Sequence, residues 1–281
     1  MGFKELMQKE LEGKLSLEQL QALPSGYQQL ENIIIIKLKP ELQKEKKEIA
    51  KAIASIFPYA KTIMQIKEIQ GKFRKPKIEF LLGEKKFTVN YKENNCIFQF
   101  DVHKIMWAKG NKAERLRIAG IVKEGETVVD FFAGIGYWTV PILKAGKAGK
   151  VIAFEHNPEA VKFLRKNLEL NKIKREKFKV MQGDCRKLAK KFPAGIADRI
   201  LLGLIPAPSF ALPEALRLVK NNGAIHYEGT AIEGKPEELF KDVEKACGKA
   251  GCRVFLENAQ FVKDYAPKVG HYTLDVRIKK E

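Results

Sequence analysis

Val128-Val-Asp-Phe-Phe-Ala-Gly-Ile-Gly136 is an apolar run that ends in a glycine turn. Residues 127–132 read as a buried strand, and Gly134 and Gly136 let backbone pass close to a ligand where a Cβ would obstruct it. A second strand, 150–154, is closed by Glu155, nineteen residues after Gly136. A third, 178–181, delivers Asp184 after Gln182-Gly183. An open α/β sheet holds an adenosine-containing cofactor at its strand ends with this series of a glycine turn, an acid and a further acid. Thr139 stands where a dinucleotide fingerprint has its third glycine, which disfavours a pyrophosphate cofactor.

Outward from that stretch, residues 113–122 read as a helix, and strands recur near 127–132, 150–154, 178–181, 198–203 and 223–228. Helices fill the gaps, including 158–171 and 236–250. Alternation of this kind predicts a mostly parallel sheet covered on both faces. At the end, strands at 253–257 and 271–278 are joined by a polar loop without a crossover helix, which predicts an antiparallel last strand. The N-terminal part differs. Residues 3–23 read as an amphipathic helical segment striped by Leu6, Leu11, Leu15 and Leu20, and 41–57 as a second helix. An isoleucine strand lies within 27–38. Strands at 61–66 and 77–82 precede a hairpin of 85–91 and 96–102. The expected organisation is a small α+β domain over 1–110 and a Rossmann-like α/β domain over 111–281.

The net charge is +18, from 52 Lys and Arg against 34 Asp and Glu. Heat adaptation enriches both signs together, whereas this excess is one-sided, so a polyanionic partner is expected. The N-terminal domain is basic at Lys37, Lys39, Lys44, Lys46, Lys47, Lys72, Arg74, Lys75 and Lys77, and is expected to supply phosphate contacts. Trp107 is read either as a base-stacking residue or as a buried tryptophan at the domain junction. No apolar run reaches the ~18 residues of a membrane span, and the charged N-terminus does not resemble a signal peptide, so a cytoplasmic protein is expected. Cys96, Cys185, Cys247 and Cys252 do not form a zinc pattern, and no metal is expected.

Each acid has two readings. Asp130, in an apolar strand end, orders the glycine loop or meets a ligand amine. Glu155 accepts both ribose hydroxyls, or serves the N-terminus of the helix that Asn157-Pro158 starts. Asp184 accepts from the adenine exocyclic amine, with the Cys185 N–H on a ring nitrogen, or caps a helix from Arg186. Together with the glycine turn and Phe132 they read as an S-adenosylmethionine site. Enzymes that methylate a planar exocyclic amine often place a polar residue, two prolines and an aromatic after the fourth strand. Here that loop is Leu202-Gly-Leu-Ile-Pro-Ala-Pro-Ser209, which lacks both the orienting amide and the aromatic.

Phe131-Phe-Ala-Gly-Ile-Gly136, Glu155-His-Asn-Pro158, Gly203-Leu-Ile-Pro206 and His226-Tyr-Glu-Gly229 together resemble the archaeal tRNA wybutosine-synthesis aminocarboxypropyltransferases. These are relatives of the tRNA guanine-N1 methyltransferases. The resemblance runs from about 71 to 278 and is most specific at 101–119, in the glycine turn and in the Gly203–Pro206 loop. Phe131-Phe132 and Tyr137-Trp138 depart from the Met-Phe and His-Leu pairs of the family. It implies a class I S-adenosylmethionine-dependent fold with an antiparallel last strand. The implied reaction is transfer of the aminocarboxypropyl group to C7 of 4-demethylwyosine in the anticodon region of tRNA(Phe), releasing methylthioadenosine. Guanine-N1 methylation and silent RNA binding are the alternatives. The resemblance implies Arg115, then Lys109, as the cation for the cofactor carboxylate, a role that a solvated helix face with Glu114–Arg117 pairs rivals. It implies Arg74 near the target base, Glu114 as a proton acceptor, and Gly203 in the cofactor wall. A monomer is expected.

Overall fold

The computed structural model of the chain describes residues 1–71 and 73–280. Lys72, one of the expected phosphate contacts, lies outside the described residues. The chain forms two units, Met1–Tyr91 with Gln99–Trp107, and Lys92–Phe98 with Ala108–Glu281. The division is not a single cut in the sequence. The tip of the hairpin formed by β5 (Thr88–Glu93) and β6 (Cys96–Asp101) belongs to the second unit.

The first unit holds α1 (Phe3–Glu10), α2 (Leu17–Ala22), β1 (Gln28–Leu30), β2 (Ile33–Ile36), α3 (Lys46–Ile56), β3 (Thr62–Gln70) and β4 (Lys75–Gly83). Its sheet runs β1-β2-β3-β4, with only β2 and β3 parallel. Ile33 to Ile36 are all buried. The single helix expected over 3–23 is two helices. Gly13 takes a φ of +74°, which turns the chain, and Ser16 opens α2 with a capping box: Gln19 N donates to its Oγ at 3.2 Å while Gln19 Oε1 accepts from its N at 3.1 Å. Met7, Leu11 and Leu15 of this segment pack with Ile49 and Ile53 of α3. The helix expected from 41 begins at Lys46, after a 3-10 turn at Pro40–Leu42.

The second unit contains α4 (Lys112–Ile121), β7 (Thr127–Asp130), α5 (Thr139–Ala145), β8 (Lys150–Glu155), α6 (Pro158–Leu170), β9 (Phe178–Gln182), α7 (Cys185–Ala189), β10 (Ala197–Leu202), α8 (Leu212–Leu218), β11 (Val219–Ile232), α9 (Glu237–Ala250), β12 (Cys252–Ala266) and β13 (Val269–Lys280). These strands build a seven-stranded sheet in the order β12-β13-β11-β10-β7-β8-β9. The five strands from β9 to β11 are parallel, and β13 is antiparallel to both its neighbours. The order reverses between β7 and β10, the switch point where such sheets bind ligands. The polar loop expected between the last strands is instead strand up to Ala266, with Pro267 and Lys268 left as the turn. Backbone pairing with β13, rather than burial, defines this edge strand, so its exposed residues carry no alternation.

Local chemistry sets the element ends near the switch point. Pro158 occupies the first turn of α6, and the Asn157 side chain accepts from Glu159 N at 3.0 Å. The same helix ends at Asn171, whose Oδ1 accepts from Ile97 N at 2.9 Å and whose Nδ2 donates to Ile97 O at 2.7 Å. This amide clamp holds the hairpin tip to the second unit. Asn171→Ala would orphan both Ile97 backbone groups at a cost of about 1–2 kcal/mol. We expect a melting temperature lower by roughly 2–8 °C, read by calorimetry.

Candidate active site

Hydrogen bonds lock the C-terminal ends of the parallel strands to one another. Gly134 N donates to Glu155 Oε2 at 2.7 Å, and Gly183 N donates to Glu155 O at 2.9 Å. Ala133 N reaches Phe154 O at 3.0 Å, and Phe131 N reaches Leu201 O at 3.1 Å. The glycine turn is also held from α6, where Asn167 Nδ2 donates to Ile135 O at 2.9 Å. Gly134 and Gly136 have φ of +56° and +98°. A Cβ on Gly136 would sit 2.6 Å from Val140 and 2.8 Å from Leu164, so glycine is required by packing as well as by backbone angle.

Asp130 is buried and its two oxygens accept from Thr139 Oγ1 at 2.8 Å and Phe132 N at 3.3 Å. It orders the loop. Burial pushes its carboxyl up to about 7 against those hydrogen bonds, reinforced by the charges of Glu155 and Glu228. Glu155 also accepts from Asn157 N at 2.6 Å, so it serves the glycine turn and the start of α6 together. Burial raises its carboxyl too. Carboxylate oxygens have further acceptor capacity, which leaves Glu155 able to meet hydroxyls. Asp184 is the N-cap of α7, accepting from Arg186 N at 2.9 Å. Its carboxylate also pairs with the Arg186 guanidinium at 2.5 Å, which holds it down to about 2. Arg186 in turn lies 5.3 Å from the Phe210 ring centroid, and Phe210 meets Phe132 edge-on at 6.0 Å. Cys185 is buried beside them. At Gly203 a Cβ would sit 2.5 Å from the Trp138 ring, so a glycine at this loop position admits that indole.

Two expected roles meet a different geometry. Arg115 is buried and already grips a carboxylate: its Nε and Nη2 donate to Glu93 at 2.7 and 3.1 Å, and Nη2 also donates to Ala108 O at 3.1 Å. The bidentate grip expected for a cofactor is made within the fold, between α4 and the hairpin tip. Glu114, expected to take a proton, is buried under a bidentate pair with Arg117 at 2.7 and 2.8 Å. Lys109 remains exposed and makes no ion pair among the described residues, while desolvation lowers its ammonium pKa. Arg74 belongs to the first unit, at a φ of +49°. Trp107 is buried, stacked on Phe100 at 5.2 Å.

Beside the strand ends runs a ladder of buried charge that sequence reasoning missed. Arg117 Nη1 and Nη2 reach Asp275 at 2.6 and 3.0 Å. Asp275 faces His226 Nδ1 at 2.5 Å, and Arg199 Nη1 faces His226 Nε2 at 2.6 Å. Arg199 continues to Glu126 at 2.8 and 3.0 Å and to Ile121 O at 3.1 Å. A guanidinium can only donate, so His226 Nε2 must accept and Nδ1–H must donate to Asp275. Burial holds His226 neutral, lowering its pKa. Burial also pushes the Asp275 carboxyl up, but the hydrogen bonds from His226 and Arg117 outweigh this and hold it well below the usual range. The available signal was Arg199, His226 and Asp275 standing alone in apolar strand runs.

Residues 88–255 match the TRM5/TYW2 methyltransferase domain, and residues 7–86 match the TYW2 N-terminal domain. The chain belongs to the TRM5/TYW2 family. A family member from Pyrococcus horikoshii, named tRNA(Phe) (4-demethylwyosine(37)-C(7)) aminocarboxypropyltransferase, is 37% identical over 99% of this chain and 98% of its own length. The crystal structure of P. horikoshii TYW2 in complex with MeSAdo superposes with a TM-score of 0.82 at 34% identity, covering 99% of this chain and 100% of that one. The complex structure of aTrm5 and tRNALeu matches with a TM-score of 0.77 at 27% identity, covering 99% of this chain and 78% of that one. Relatives on the Trm5 side of the TRM5/TYW2 family therefore bind tRNA. Among the described residues no helix is long and apolar enough to cross a membrane, and no group of three or more His, Cys, Asp or Glu is placed to hold a metal.

Two substitutions test these assignments. Between about pH 4 and 7 the folded protein keeps the Asp130 proton that an unfolded chain releases, so Asp130 costs stability as pH rises through that window. Asp130→Asn should therefore gain on the parent by roughly 2–3 kcal/mol between pH 5 and pH 8, measured by urea denaturation. Arg115→Ala strands the buried Glu93 carboxylate and should lose about 3–5 kcal/mol of stability. A normal melting temperature with weakened cofactor binding would return Arg115 to the binding site.

Proposed function

We propose that the chain transfers the 3-amino-3-carboxypropyl group of S-adenosylmethionine to C7 of 4-demethylwyosine in the anticodon region of tRNA(Phe), releasing methylthioadenosine. The observation that carries this reading is the apolar Gly203–Pro206 loop at the switch point, joined to full-length identity with a relative named for that activity. A loop with no side-chain amide offers nothing to orient a base for nitrogen methylation. Glu155 and Glu228, buried or nearly so near the strand ends, both raise the carboxyl of Asp130, and this gathering of acids suits a cationic ligand. S-adenosylmethionine supplies a sulfonium whose attached carbons are electrophilic, and the carbon presented to the acceptor selects the product.

The side chains divide the work of holding it. Glu155 takes the ribose hydroxyls. Phe132 and Phe210 flank the base, with Asp184 and the Cys185 N–H on its polar edge; Arg186 must share Asp184 for that contact. Gly134 and Gly136 carry the turn, and Trp138 over Gly203 walls the pocket. Lys109, rather than Arg115, is the free cation for the carboxylate. Glu114 positions α4 through Arg117. Arg74 and the lysines of the N-terminal α+β domain contact the tRNA, so residues 1–110 serve as the RNA-contact domain and 111–281 as the cofactor-binding domain. The enzyme works in the cytoplasm as a monomer.

The test is incubation with S-adenosylmethionine and two tRNAs, one bearing the tricyclic precursor and one an unmodified guanosine at that position, followed by mass spectrometry of the nucleosides. We expect the mass of an added aminocarboxypropyl group and stoichiometric methylthioadenosine. A gain of one methyl on guanosine would assign the chain to the methyltransferase branch, and no product from either tRNA would leave RNA binding.

A further inference from the structure

A buried polar cluster on β11 and β13 lies outside the charge ladder and the cofactor residues. Glu228 and Thr273 are cross-strand partners on β11 and β13, and His271 lies two residues further along β13, on the same face. Glu228 is 5% exposed, His271 1% and Thr273 fully buried. Among the described residues, neither ring nitrogen of His271 nor the Thr273 hydroxyl has a hydrogen-bond partner. His271 Nε2 lies 3.4 Å from Glu228 Oε1, close but not hydrogen-bonded. Buried polar atoms are rarely left so, and each exception asks for a ligand or a function.

Their place in the sheet says what ligand. Across the strand ends the order is Asp184 after β9, Glu155 on β8, the glycine turn after β7, Gly203 after β10, then Glu228 on β11. Tyr227 pairs with Leu202, so Glu228 stands level with Gly203, over which the Trp138 ring forms one wall of the path. Thr230 N donates to Pro206 O at 2.7 Å and ties this end of β11 to the same loop. A ligand with adenine at β9 and ribose at β8 extends its tail past β7 and β10 toward Glu228. Asp130, the other acid on that path, is 1% exposed and orders the glycine loop through Thr139 and Phe132.

We propose that Glu228, Thr273 and His271 form the seat for the ammonium group of the cofactor's amino acid tail. An ammonium has three donors; a carboxylate, a hydroxyl oxygen and an imidazole nitrogen are three acceptors. The carboxylate supplies the charge, and Glu228 is the more exposed side chain of its pair with His271, 7% against 1%. Seating the ammonium here, with the carboxylate on Lys109, holds both charged groups of the tail's α-carbon.

This assignment rests on the proposed cofactor, but its test is separate. Calorimetry with three probes isolates the ammonium. S-adenosylmethionine has ammonium and carboxylate, decarboxylated S-adenosylmethionine has the ammonium alone, and methylthioadenosine has neither. Glu228→Gln should weaken the first two at least tenfold and change the third less than twofold. Thr273→Val, which keeps shape, should weaken the first two about threefold and spare the third. Equal loss for all three probes, or no loss for any, would overturn the assignment. Circular dichroism and the unchanged methylthioadenosine affinity confirm that each variant folds. The product formed by the parent protein decides the transfer reaction independently: a methylated nucleoside would end that reading and leave the ammonium seat standing on the calorimetry.

Discussion

One neutral imidazole with two obligatory partners ties α4 to the middle of the sheet. Arg199 can only donate, so His226 must accept on one nitrogen and donate from the other. That fixes its tautomer, and the tautomer fixes Asp275 as an acceptor. Asp275 then has acceptor capacity to hold Arg117, and Arg117 holds Glu114 on its own helix. Removing Arg117 would leave the buried carboxylates of Glu114 and Asp275 without their shared cation, which is far more damaging than the ladder is stabilising. The ladder therefore acts as a registration device between a helix and three strands rather than as a store of stability.

The strand ends show the opposite electrostatic habit. Along the ladder each charge is answered. At the cofactor face Asp130 and Glu155 are answered mainly by neutral donors: backbone N–H groups and the Thr139 hydroxyl. Backbone donors shape the loop but do not neutralise it. These strand ends thus carry a deficit of positive charge in their walls, which suits a ligand with a sulfonium. This chain keeps its balanced charges in the ladder and its unbalanced ones at the strand ends.

What the sequence revealed and concealed follows from range. The glycine turn, Glu155 and Asp184 were legible because their geometry is set within a few residues, by strand ends and helix starts. The break at Gly13 was hidden because the leucine stripe continues on both sides of it. The length of β12 was hidden because an edge strand held by one neighbour needs no apolar alternation. Arg115 looked available because its partner, Glu93, lies 22 residues away in a different element. Glu228 and His271 were invisible as a pair until β13 was inserted beside β11 in antiparallel sense. The acids of the site could be read singly, while their competing partners required the folded chain.

Gly203 presses against the six-membered ring of Trp138, one of two tryptophans in the chain, and the other, Trp107, belongs to the first unit. The indole is nearly sealed from solvent at 6% exposure. Any displacement of the loop between Gly203 and Pro206 must change what that ring touches. The molecule therefore carries its own optical gauge: once Trp107 is replaced by phenylalanine, emission from Trp138 follows the loop after β10 with no dye attached.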